Sequence, residues 1–284
     1  MTLSVRLFLL TSLTMAAFAA NSVLNRMALS GGSIGPADFA LIRVLSGVVM
    51  LAVLVWWRDR KLVDLSEVSW KSAGALVLYV LGFSFGYITL SAGTGALILF
   101  GGVQVTMFSG ALLAGERPSN TRWAGAGLAF LGLVWLLLPS AYAPDPVGAA
   151  LMAAAAFGWG VYSLYGRKVA RPLQATAGNF LLAVPVVILV SLVFPDQKDP
   201  LFAGILLAVL SGAVTSGMGY ALWYSILPRL EASLAAVAQL TVPVIAVLAG
   251  IIVLDEVPTF GFGVSAVLVL GGVGLSALRR KPGS

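Results

Sequence analysis

The sequence predicts an all-α integral membrane protein, with ten transmembrane helices forming two inverted five-helix repeats around a central cavity. Three observations predict this. Of 284 residues, 60% are hydrophobic and 10% charged, with a mean hydropathy of +1.00, far from the balance of a soluble domain. A span needs about 20 mostly apolar residues. Charged or Pro/Gly punctuation cuts the chain into ten such runs, near 4–29, 36–57, 71–90, 93–114, 121–138, 147–167, 172–194, 201–223, 232–254 and 260–279, with loops too short for a soluble domain. The stretch Ala92–Leu136 also recurs. A shift of 140 residues lays Ala96, Gly110, Glu116, Pro118, Ala126, Leu128 and Gly132 on Ala236, Gly250, Glu256, Pro258, Ala266, Leu268 and Gly272. Apolar chains share many residues by chance, so the informative part is the Glu-x-Pro corner between two hydrophobic runs. Proline suits the first helical position, and an acidic side chain suits a helix start.

The charges set the orientation. With both termini cytoplasmic, the inside segments hold 14 of the 17 basic residues, as the positive-inside rule requires. Lys198 lies outside, while Arg26 and Arg43 fall towards the outer ends of the first two runs. The net charge of +6 is therefore topogenic and does not point to nucleic acid. Five spans per half turn the Glu116 corner inward, with Arg117 and Arg122. They turn the Glu256 corner outward, where Val257 and Phe262 stand in those places. The expected units are residues 1–140 and an inverted 141–284, the architecture of an alternating-access carrier.

The first run resembles a secretory signal, with Arg6, an apolar stretch and Ala17-Phe18-Ala19. Its counterpart Ala156-Phe157-Gly158-Trp159-Gly160 in the sixth run argues that it is retained. It carries Asn21, Ser22 and Asn25, with Asn21 and Asn25 one helical turn apart, either as helix–helix glue or as cavity lining; the cavity is favoured for Asn21. The second run opens at Gly35-Pro36 and holds Arg43, which either marks a functional site or snorkels outward to pair with Asp38. The third presents Tyr79, Phe83 and Tyr87 on one aromatic face, and a mid-depth tyrosine needs a hydroxyl partner inside the bundle. Trp56, Trp57, Trp70, Trp123 and Trp135 fall near span ends, as an interfacial belt does. The fourth run places Gln104 near its midpoint beside Gly101-Gly102. The sixth puts Trp159 near mid-depth with Tyr162 and Ser163 a turn on, and its indole N–H needs an internal partner. The eighth runs from Gly212 to Gly219, thin and suited to close packing, then Tyr220, Trp223 and Tyr224. Gln239 and Pro243 mark the middle of the ninth, where proline frees a carbonyl.

The Glu116-Arg117-Pro118 corner before Trp123 and Gly125, its partner Glu256–Pro258, Gly219-Tyr220 before the ninth run and Ala156–Trp159 before Arg167 resemble EamA-type members of the drug/metabolite transporter superfamily. Phe157-x-Trp159-x-x-Tyr162 and Gly219-Tyr220-Ala221-x-Trp223 are similar to segments of the YddG-like exporters of aromatic and other neutral amino acids. The resemblance covers essentially the whole chain. It implies ten helices in two inverted halves, a central cavity, and export across the bacterial inner membrane. Two departures stand out: Val103 occupies the place of Pro243, and Gly263 that of Trp123, which puts symmetric rocking in doubt.

A neutral amino acid needs amides and hydroxyls for its charged ends and aromatic walls for its side chain. Asn21, Tyr79, Phe83, Gln104, Trp159, Tyr162 and Gln239 offer that set, with Arg43, Pro243 and Tyr220 as gating or structural residues. The chamber is expected to be uncharged and aromatic. The chain has no cysteine and no histidine, and no acidic residue deep in a run. Thiol nucleophiles, imidazole bases, the usual zinc sites and common proton relays are thereby excluded. No enzyme activity, metal or cofactor is expected, and transport is expected to be facilitative. The expected partners are a small-molecule substrate and membrane lipid, with a monomer as the working unit. A small multidrug exporter would need an intramembrane carboxylate, which the first run lacks. A sugar-phosphate carrier would need deep basic residues, and only Arg43 offers itself. Export of other metabolites or drugs, and a non-transporting scaffold or receptor, remain the rival readings.

Overall fold

Apolar runs in lipid must satisfy their backbone groups as helices or closed barrels, and the regular structure among the described residues is helical. The structure, a computed structural model, describes residues 3–113, 115, 119–138, 143–166, 169–226, 229, 238–239 and 241–277. The Glu116–Pro118 corner and most of 227–240 lie outside them. In order come α1 (Leu3–Ser30), α2 (Pro36–Asp59), α3 (Trp70–Gly86), α4 (Ala92–Leu113), α5 (Asn120–Leu137), α6 (Pro146–Gly166), α7 (Pro172–Val193), α8 (Phe202–Ile226), α9 (Thr241–Leu254) and α10 (Phe260–Ala277). Among the described residues, α1, α2, α4, α6, α7 and α8 are long and apolar enough to cross a membrane, and α9 and α10 are shorter apolar helices.

Local chemistry sets the boundaries. Pro36 opens α2, and Arg60 ends it in the left-handed region (φ 53°), its N–H donating to the Trp56 carbonyl. Asp145 caps α6 by accepting from the Gly148 N–H at 2.7 Å. Helix α3 stops at Gly86, four residues earlier than the apolar run predicts, because Arg26 Nη1 takes the carbonyls of Tyr87 (3.1 Å) and Ile88 (2.9 Å). Helix α8 widens into a π-helical turn over Ser211–Met218, a form that recurs at functional sites.

Lipid offers no hydrophobic drive between helices, so close backbone approach and polar contacts hold the bundle. A side chain at Gly158 would strike the backbone of Ala75 and Tyr79, and one at Gly82 the carbonyl of Leu151, so α3 and α6 touch main chain to main chain. Gly272 meets the backbone of Gly125 and Ala129 in the same way, joining α5 to α10. The other principal pairs are α2 with α7 and α8, α3 with α7, α4 with α6 and α9, and α1 with α8 and α9. Exchanging each helix with the one five places on leaves these pairings unchanged. Phe8, Val49, Trp57, Leu192 and Ile252 face outward, as a lipid-facing girdle requires.

Candidate functional site

Five helices, α1, α2, α3, α6 and α8, converge on one buried cluster. Its centre is Arg43 of α2, 0% exposed. Its Nε donates to Ser216 Oγ at 3.0 Å, and its Nη2 donates to the hydroxyls of Tyr79 (3.0 Å) and Tyr220 (3.1 Å). The guanidinium also lies over the rings of Phe83 and Tyr79, at 4.9 and 5.2 Å, where the ring quadrupoles attract it. Arg43 therefore neither snorkels nor pairs with Asp38. Asp38 instead stands in the first turn of α2, where its N–H donates to Asp196 at 2.8 Å. Nor is the chamber uncharged, since a guanidinium sits inside its aromatic wall.

The widened turn of α8 explains how the polar groups reach the centre. It turns Ser211, Thr215 and Ser216 inward. Ser211 and Thr215 donate to Asn21 Oδ1 at 2.6 and 2.9 Å, and Asn21 Nδ2 donates to Tyr79 Oη at 3.3 Å. Asn25, one turn on, donates to the Asn21 carbonyl and to Ser211 Oγ. Tyr220 donates to Tyr79 at 3.0 Å, so three donors meet on one phenolic oxygen.

Trp159 packs between Tyr79 and Tyr220, with ring centroids 4.9 and 4.8 Å away, and touches Tyr162 at 5.7 Å and Phe18 at 5.9 Å. Its Nε1 is buried without the internal partner that the sequence led us to expect, and Arg43 Nη1 is likewise buried and unpartnered. Below Trp159, Tyr162 and Tyr224 lead into a cavity of about 160 Å³ lined also by Ser72, Thr176 and Asn179. At the opposite end a cavity of about 200 Å³ lies among Thr89, Thr94, Leu136, Val247, Glu256 and Phe262.

Asn21, Arg43, Tyr79, Phe83, Trp159, Tyr162 and Tyr220 thus come together. Gln104 is half-buried on α4 and Gln239 is buried ahead of α9, and neither hydrogen-bonds to the cluster. Pro243 is the third residue of α9 as described, where a missing N–H costs no intrahelical bond. Residues 230–237 and 240 lie outside the described part, and the expectation that Pro243 stands in the middle of its run rests on them. Sequence reasoning missed Phe18, Asn25, Ser211, Thr215 and Ser216 as site residues. Three hydroxyls within six residues of an apolar run were the available signal.

Comparison with known proteins gives a consistent picture. The profile of the EamA-like transporter family matches the chain twice, over residues 6–138 and 146–278. An uncharacterized protein of Pseudomonas aeruginosa is 46% identical, over 95% of this chain and 94% of its own. An aromatic amino acid exporter YddG of Ancylobacter novellus is 26% identical, over 95% of this chain and 99% of its own. A probable amino-acid metabolite efflux pump of Escherichia coli is also 26% identical, over 65% and 67%. A crystal structure 22% identical in sequence shares the fold, with a TM-score of 0.65 over 93% of this chain and 95% of that one.

Proposed function

This chain belongs to the EamA-like transporter family, a multi-pass membrane transporter and not an enzyme, and we propose that it exports neutral amino acids, above all aromatic and large apolar ones. The proposed setting is the bacterial inner membrane, with both termini cytoplasmic and ten spans forming two inverted halves, 1–140 and 141–284. The helix pairing that survives a five-place exchange supports two related halves. Transport would run by alternating access between the two cavities, with the cluster around Trp159 as the common site.

The buried cluster itself carries this reading. Aromatic rings of Phe18, Tyr79, Phe83, Trp159 and Tyr220 surround amides, hydroxyls and one guanidinium, the chemistry that an amino acid with an apolar side chain asks of a pocket. Aromatic walls discriminate against acidic side chains. Among the described residues no acidic side chain stands in the cluster, and the chain has no histidine, which supports facilitative export over proton coupling.

Counterflow in proteoliposomes tests the proposal. Vesicles preloaded with phenylalanine should accumulate labelled phenylalanine, tryptophan or leucine with no pH gradient applied. Accumulation only under a pH gradient would end the facilitative part. No counterflow of any neutral amino acid would leave the export of other metabolites, or a scaffold role, as the better reading.

A further inference from the structure

On the reading that the cluster is the transport site, we propose that it recognises its substrate by a carboxylate, which Arg43 Nη1 and Trp159 Nε1 receive. The argument starts from an imbalance of donors and acceptors. Arg43 is wholly buried, yet the polar groups it donates to, Ser216, Tyr79 and Tyr220, are all neutral hydroxyls, and the ion pairs among the described residues join other side chains. A buried guanidinium without a counter-charge is costly in a membrane protein and marks a site whose partner comes from elsewhere.

The surroundings repeat the imbalance. Tyr79 Oη faces three donors, from Arg43, Tyr220 and Asn21, so its own O–H adds a further donor to the cluster. The nearest amide acceptor, Asn21 Oδ1, is already engaged by Ser211 and Thr215. Two N–H groups, Arg43 Nη1 and Trp159 Nε1, remain buried and unused. Both belong to groups packed against the ring of Tyr79, at 5.2 Å for the guanidinium and 4.9 Å for the indole. A single negative charge with two acceptor oxygens balances this set, and a neutral ligand does not. Asn25 Oδ1, one turn from Asn21, is a buried acceptor without a partner. It gives a polar substrate's ammonium group a place, whereas an amide in place of the carboxylate would add donors where donors are already in excess.

Calorimetry on the purified full-length protein separates the possibilities, using 3-phenylpropanoate, 3-phenylpropanamide, phenylalanine and phenylalaninamide as probes. Each acid should bind at least tenfold tighter than its amide. Amides that bind as tightly as the acids would overturn the carboxylate proposal, and if phenylalanine still undergoes counterflow the transport reading survives. Binding of 3-phenylpropanoate without binding or counterflow of phenylalanine would support the carboxylate site and end the amino-acid reading. Chloride binding that is lost in Arg43→Gln, with neither acid bound by the wild type, would overturn the proposal in favour of an inorganic-anion site. Arg43→Gln should bring the acids down to the affinity of the amides. The wild-type panel decides the question even if that variant does not fold.

Discussion

Two side chains give the sharpest tests at the scale of single residues. Trp159 touches Tyr79, Tyr220, Tyr162 and Phe18, so Trp159→Ala removes both a wall and a free N–H, at a stability cost of about 3–5 kcal/mol for a buried tryptophan. Transport should be abolished in vesicles, while Trp159→Phe, which keeps most of the packing, should stay folded and lose about ten- to a hundredfold in apparent affinity, the worth of one hydrogen bond to a charged group. Unchanged counterflow in the phenylalanine variant would remove the indole N–H from the site. Asp64 lies outside the spans, capping the short 3-10 turn Leu65–Glu67. Hydrogen bonds from Ser66 and then Arg171, at 2.9 and 2.8 Å, hold its carboxyl down at about 2 from an ordinary 3.8. A carboxyl more acidic when folded stabilises above its unfolded value, so this contribution is intact above about pH 4 and is lost as the pH falls through about 2. Both groups are solvent-exposed, so the effect is small. Thermal melts in detergent should fall more between pH 4 and pH 2 for the wild type than for Asp64→Asn, and equal falls would refute the coupling. The sequence made Trp159 and Tyr79 legible as inward-facing side chains because a mid-depth indole or phenol has few places to go. It misled on Arg43 because Asp38 is near in sequence, whereas the true partners, Tyr79, Ser216 and Tyr220, lie on α3 and α8.

At the scale of elements, α2 and α8 depend on how closely they approach. A methyl group at Gly212 would run into Ser46 Oγ and the carbonyl of Arg43, a backbone atom that cannot swing aside, whereas one at Gly219 would find its nearest neighbour, Ala17 Cβ, at 3.6 Å. Gly212→Ala should therefore destabilise by about 1–3 kcal/mol through overpacking. Gly219→Ala should be neutral or stabilising by up to about 1 kcal/mol through helix propensity. Melting temperatures of the pair decide this, and a stable Gly212→Ala would mean that α2 and α8 are not locked at that point. Periodicity and punctuation read α8 as a thin helix, and its glycines do pack closely against α2. Its widened turn was not legible, because a π segment changes which residues share a face without changing composition. The early end of α3 was likewise hidden, since an arginine of α1 terminates it.

At the scale of the whole molecule, the proposed alternating access requires that each end open in turn, and a clasp of hydrogen bonds crosses the end carrying Glu256. Glu256 accepts from the Ala92 N–H at the start of α4 through both oxygens, at 3.0 and 2.9 Å, and from Arg26 Nε at 3.4 Å. Arg26 in turn holds the carbonyls that end α3. One carboxylate thus ties α1, α3 and α4 to the corner before α10, beside the 200 Å³ cavity, and the positive end of the α4 dipole reinforces it. Here the repeat in the sequence was informative, since it singled out the Glu256 corner. Its task as a clasp was not legible, because Arg26 and Ala92 are far away in the chain. Glu256→Gln discharges the clasp and puts an NH₂ group against two existing donors, so this end should open more often. Because the chain has no native cysteine, a Thr94→Cys reporter in that cavity reads the change without background. Its labelling by a membrane-impermeant maleimide should rise severalfold in Glu256→Gln. Reporters at Leu62 and Val257, 86% and 87% exposed, should label from opposite compartments in both backgrounds. An unchanged rate at residue 94 would make the corner a static brace, and labelling of 62 and 257 from one compartment would end the inverted arrangement on which the gating argument stands.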